Sequence, residues 1–114
     1  MDEILRRSLL FDFYGELLTD HRREIYGEYI QEDLSLSEIA QEHGVTRQSV
    51  FDLVKKCEKT LEEFEAKLGL VERFQRTGIK AEKIHRLVQE ADEGSRERIL
   101  AEIDSIALSI TEDL

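Results

Sequence analysis

The run Thr46–Lys59, TRQSVFDLVKKCEK, holds the side chains best suited to contact another macromolecule. Wound as a helix, it sets Gln48, Asp52, Lys55 and Lys59 on one face, opposite Val50, Val54 and Cys57. Ser49 and Lys56 flank that face, Arg47 lies near its start, and Thr46 precedes it. A helix that reads a DNA groove uses its N-terminal residues on base edges and later ones on phosphates. Arg and Gln suit bidentate base contacts. Thr46, Arg47, Gln48, Ser49 and Asp52 are therefore the candidate base-proximal residues, and Lys55, Lys56 and Lys59 the candidate phosphate contacts. Asp52 is the discordant member, since a carboxylate either accepts from a cytosine amino group or repels the backbone. An ordinary solvated or protein-facing helix surface is the competing reading of the same residues.

Other chemistry is sparse. His21, His43 and His85 lack an HxxH or HExxH partner, so no metal site is expected. Cys57 is the one cysteine, which excludes an intramolecular disulfide, and its place on the apolar stripe marks a small buried hydrophobe. The six glycines are isolated and form no phosphate-binding loop. Paired acids on helices read as solvated faces. The expectation is a protein that is not an enzyme and carries no cofactor.

The element that positions the Arg47–Lys59 face is a helix-turn-helix over Asp33–Lys59. Ser35 and Glu38 have capping-box spacing. Ile39 and Ala40 face inward, Gly44 sits where the chain must stop and turn, and Val45 is expected to re-enter the core. Thr46 caps the next helix, whose buried stripe is Val50, Leu53, Val54 and Cys57.

A first helix is expected over Asp2–Leu18, with Leu5, Leu9, Leu10, Phe13, Tyr14 and Leu17 on its apolar face. The aromatics Phe11, Phe13 and Tyr14 are read as domain core. A second helix, capped by Thr19 or Asp20, runs to about Gln31, with Gly27 as a possible point of close packing. The second helix of the helix-turn-helix, starting after Thr46, continues to Gly69 along a short heptad seam of Val54, Cys57, Leu61, Phe64, Leu68 and Val71. That seam serves either intrachain packing or a homodimer. A short helix over Leu70–Arg76, a break at Thr77-Gly78 and a helix over Ile79–Asp92, burying Ile84, Leu87, Val88 and Ala91, come next. Gly94-Ser95 is read as turn and cap. The last helix, Arg96–Thr111, carries Ile99, Ile103, Ile106 and Ile110, widened by Leu100, Ala107 and Leu114, before fraying polar ends.

With 114 residues, 37% charged and no proline, the chain suits a mostly helical protein. The net charge of −10 opposes wholesale phosphate binding. Residues 21–59 hold six bases against eight acids, while residues 60–114 hold eight against thirteen, so the candidate face lies in the less acidic part. No apolar run approaches the ~20 residues of a membrane helix, and no signal-peptide core is evident. A cytoplasmic protein without a membrane partner is expected.

Leu18, Arg23, Ile25, Leu34, Ser35, Glu38, Ile39, Ala40, Gly44, Val45 and Val50 resemble, at matching spacing, region 4 of bacterial sigma factors. More closely, DLSLSEIAQEHGVTRQSVFDLV, followed by a Glu-rich helix and preceded by a Leu- and aromatic-rich helix running into LT, is similar to the YlxM-like family of small helix-turn-helix proteins. The resemblance covers roughly residues 4–76 and implies no catalytic residues. It implies a regulator in the signal recognition particle pathway, with that particle's GTPase or its RNA as partners. The expected architecture is all-α: a sigma-region-4-like helix-turn-helix bundle over 1–69 and a C-terminal helical extension over 70–114 that dimerises in one reading. The expected function is regulation by protein or RNA-protein contact; the alternative is sequence-specific binding of double-stranded DNA through Arg47–Lys59.

Overall fold

Six α-helices and a short 3-10 turn account for the secondary structure in the computed structural model, which describes residues 2–114, and the described residues contain no strand. The chain divides into two compact units, one ending at Val71 and one of Glu72–Leu114.

In the first unit, α1 (Glu3–Tyr14) is capped by Asp2, whose carboxylate accepts from the Ile4 amide. It ends earlier than its apolar periodicity suggests, giving way to a 3-10 turn over Gly15–Leu17. The turn packs closely on Phe11, since a Cβ at Gly15 would lie 3.0 Å from that ring. The inward face also differs from the expected one. Leu10, Phe11, Tyr14 and Leu18 are buried, whereas Leu5, Phe13 and Leu17 are exposed. Thr19 caps α2 (Asp20–Ile30). Gly27 does mark close packing, since a Cβ there would lie 3.3 Å from the Phe11 ring edge.

The turn motif forms as its caps require. Ser35 Oγ accepts from the Glu38 amide and the Glu38 carboxylate accepts from the Ser35 amide, closing the capping box of α3 (Leu36–His43). Gly44, at φ +66°, donates to Gln41 O while Val45 donates to Ala40 O, a Schellman ending that needs a left-handed residue. Val45 itself is 47% exposed, contrary to expectation, because the turn spends its backbone and sends its side chain outward. Helix α4 (Arg47–Leu68) then lays Val50, Val54, Cys57 and Leu61 into the core formed with Ile25, Tyr26, Ile39 and Ala40. Val71 joins this cluster while Leu68 stays exposed, so the buried members of the heptad seam are consumed inside the first unit.

Helix α5 (Leu70–Glu90) follows the left-handed Gly69 directly. Two amides of its first turn find acceptors from elsewhere: Leu70 donates to Tyr14 Oη at 3.0 Å and Val71 to Glu65 Oε1 at 3.0 Å. α5 runs unbroken through Thr77-Gly78, where a break was expected. A lone helical glycine costs about 1 kcal/mol, too little to end a helix whose pattern continues on both sides.

In the second unit α5 and α6 (Arg96–Glu112) are antiparallel, as two links show: Arg76 donates twice to Asp113, and Lys80 donates to Ser109 O. Leu87 and Ile99 are buried and Ile84, Ile103, Ile106 and Ile110 half-buried. Val88, Ala91, Leu100, Ala107 and Leu114 are exposed rather than packed. At the turn Ser95 makes no side-chain cap; instead the Asp92 carboxylate accepts from the Ser95 amide and hydroxyl. Near the C-terminus, where fraying was expected, the Arg76 guanidinium pairs with Asp113 and holds its carboxyl below the usual carboxylate range, while Leu114 is exposed.

Candidate nucleic-acid interface

The eight residues singled out from the sequence, Thr46, Arg47, Gln48, Ser49, Asp52, Lys55, Lys56 and Lys59, are all exposed at or along α4. Their exposure follows from the burial of Val50, Val54, Cys57 and Leu61 on the other side of the same helix.

Several of their polar atoms are already engaged. Thr46 Oγ1 accepts from the Ser49 amide, and the Ser49 hydroxyl donates to Thr46 O at 2.8 Å. These two residues work as the cap of α4. Gln48 Nε2 donates to Asp52 Oδ1 at 3.0 Å, an i,i+4 pair along the outer face. Lys55 stands 5.6 Å from the centre of the Phe51 ring and 3.8 Å from Glu58. Glu58 is shared with Arg7 of α1 at 3.7 Å. Lys55 and Lys59 also line a cleft of about 280 Å³ beside α1, together with Glu3, Glu58 and Glu62. Arg7 lines the same cleft, and Arg6 and Arg7 pair with these carboxylates, so the lysine pair borders a mixed charge network rather than a continuous basic stripe. Among the described residues Arg47, Lys56 and Lys59 take part in no ion pair. Phe51 and Val45, neither assigned to the surface from the sequence, add apolar area around the motif.

A second feature of the first unit escaped the sequence reading. A groove of about 870 Å³ between α1, the 3-10 turn and α2 is lined by Asp12, Glu16, Asp20, Glu24, Glu28 and Glu32, with Arg23 as its cation. The four-residue spacing of Asp20, Glu24, Glu28 and Glu32 was legible, but the juxtaposition with α1 was not. Glu28 is buried and accepts from His43 Nε2 at 2.8 Å, joining α2 to the end of α3. This contact raises the His43 imidazole above its ordinary range. Burial pushes the Cys57 thiol up, consistent with a packing role and no nucleophilic one.

A turn motif with these caps, on a chain of this size, agrees with the comparisons to known proteins. The family model UPF0122, described as "Putative helix-turn-helix protein, YlxM / p13 like", matches residues 1–103. The chain belongs to the UPF0122 family. A UPF0122 protein of Thermoanaerobacter sp. (strain X514) is 45% identical over 112 residues, covering 97% of this chain and 96% of its own. A UPF0122 protein of Symbiobacterium thermophilum is 41% identical, covering 89% and 94%. One from Halalkalibacterium halodurans is 38% identical, covering 93% and 95%. The match to UPF0122 spans the motif and much of the α5–α6 unit, well beyond the residues that carried the resemblance in the sequence. No helix among the described residues is long and apolar enough to cross a membrane.

Proposed function

We propose that this UPF0122 protein is a non-catalytic regulator in the signal recognition particle pathway, acting by protein or RNA-protein contact. The mode of contact rests on one observation, the hydrogen bond from Gln48 to Asp52 on the outer face of α4. It occupies the amide that would read a base and sets a carboxylate amid the basic residues, where a phosphate backbone would meet repulsion. The acidic groove of the first unit and the net charge of −10 favour a basic partner surface. Such complementarity acts on encounter rate and partner choice more than on affinity. The pathway itself rests on the family resemblance.

The test combines this protein with the particle's GTPase, its RNA, and their complex at low salt, following co-sedimentation and GTP hydrolysis. Association with the complex and a changed hydrolysis rate are expected. No association at low salt would overturn the reading. A homodimer through the second unit, where Ile79, Val88, Leu100 and Leu108 are exposed, belongs to the same proposal. A monomer mass by light scattering at tens of micromolar would remove it.

A second reading, binding of double-stranded DNA, is favoured by the exposed Arg47 and Lys56 at the start and flank of a firmly capped helix. Titration of a labelled fragment of the gene's own promoter tests it. A salt-dependent affinity that falls on Arg47→Ala supports groove binding, and a flat salt response removes it.

A further inference from the structure

The Glu28–His43 contact has a third neighbour. Ligand atoms of Glu24, Glu28 and His43 all lie within 4.8 Å of one another. Glu24 and Glu28 are one turn apart on α2, so their carboxylates project to the same side. His43 is the last residue of α3 and delivers its Nε2 from across the helix pair. We propose that these three residues form a divalent transition-metal site of the zinc type that clamps α3 to α2.

The chemistry of the donor set selects the ion. One imidazole nitrogen with two carboxylates suits zinc better than calcium or magnesium, which prefer all-oxygen sites. Zinc holds nitrogen and oxygen donors at about 2.0–2.2 Å, so the ligand atoms of a tetrahedral site stand roughly 3.3–3.6 Å apart. The 2.8 Å His43–Glu28 contact must open slightly and Glu24 must swing inward. Glu24 is exposed and free to do so, and its side leaves a fourth position for water.

Two further features favour a cation here. Glu28 is a buried carboxylate, and His43 Nε2 already stands 2.8 Å from it, so a nitrogen and an oxygen donor converge away from bulk water. Glu24 and Glu28 also line the groove of six carboxylates, which raises the local concentration of cations. The site would couple metal binding to the docking of the first helix of the turn motif without touching the outer face of α4.

Calorimetric titration of the metal-free protein with zinc chloride at neutral pH tests the assignment, alongside the variants Glu24→Gln, His43→Gln and Asp12→Asn. Asp12 lines the same groove outside the triad. The expected result is one zinc per chain, at least tenfold weaker binding in Glu24→Gln and His43→Gln, and no more than a twofold loss in Asp12→Asn, which removes one charge of the groove but no ligand. Thermal midpoints should rise with zinc in the wild-type protein and in Asp12→Asn only, and cobalt should give a visible spectrum that His43→Gln abolishes. Equal affinity in His43→Gln, an equal loss in Asp12→Asn, or no saturable binding would each overturn the proposal. Circular dichroism confirms that every variant compared is folded.

Discussion

Tyr14 Oη donates to Glu65 Oε1 at 2.6 Å across 51 residues of chain. The same two oxygens accept from the amides of Leu70 and Val71, so the start of α5 is capped by side chains of α1 and α4. A carboxylate at a helix N-terminus also complements the helix dipole. Burial and the hydrogen bond to Glu65 push the Tyr14 phenol above its usual range, keeping it a donor at every working pH.

Tyr14→Phe deletes the hydroxyl alone and leaves the Leu70 amide and the Glu65 carboxylate each short of a partner. We expect a loss of about 1–3 kcal/mol. Urea denaturation should show the midpoint falling at unchanged slope.

His43 and Glu28 predict the direction of a pH effect. The His43 imidazole titrates above its ordinary value of 6.5 in the folded protein, chiefly through its hydrogen bond to Glu28, with Glu24 and Glu42 adding in the same direction. The stability it contributes is therefore fully present below the unfolded value and is lost as pH rises through the raised one. Urea midpoints in chelator-treated samples from pH 5.5 to 8.5 should fall more steeply in the wild-type protein than in His43→Gln. Equal slopes would remove the linkage.

Two glycines separate propensity from packing. Gly78 lies inside α5 with nothing near the position of a Cβ, so Gly78→Ala should stabilise by about 0.5–1 kcal/mol. At Gly27 the same propensity gain meets the Phe11 ring at 3.3 Å, and the ring is buried against Tyr26. Gly27→Ala should therefore yield less than Gly78→Ala, and Gly27→Val should destabilise. Thermal midpoints of the three variants order the effects.

Asp52 decides how α4 treats a phosphate backbone. Asp52→Ala frees Gln48 and removes the central negative charge, so duplex affinity at low salt should rise severalfold. The opposite result, a fall in affinity at one base position only, would mark Asp52 as a base-reading residue.

Much of the turn motif was legible because its determinants are local. The Ser35–Glu38 capping box, the left-handed Gly44, the Thr46 cap and the stripe from Val50 to Cys57 are all written within one or two turns of chain. The errors fall where the deciding contact is distant or the local signal weak. Phe11 is buried and Phe13 exposed because α2 presents Gly27 and Tyr26 to the former, a choice that α1 periodicity alone does not reveal. Nothing local marks Glu28 and Glu65 as buried, and their burial depends on His43 and Tyr14 in other helices. At Thr77-Gly78 a modest helix penalty was read as a stop. The candidate face was read correctly as exposed, but the mixed charge network beside it draws Glu3, Arg6 and Arg7 from α1, far away in sequence.

The knot at Tyr14, Glu65, Leu70 and Val71 sets an order of events for a chain made from its N-terminus. While synthesis has passed Glu65 but not Val71, a phenol and a carboxylate destined for the interior lack two of their amide donors. The turn motif is complete by then, yet the body that supports it is not closed. Emergence of Val71, which brings both an amide and a fully buried side chain, is the length at which the first unit can lock. Released chains ending before and after that residue should differ sharply in resistance to protease, although each already contains the whole helix-turn-helix.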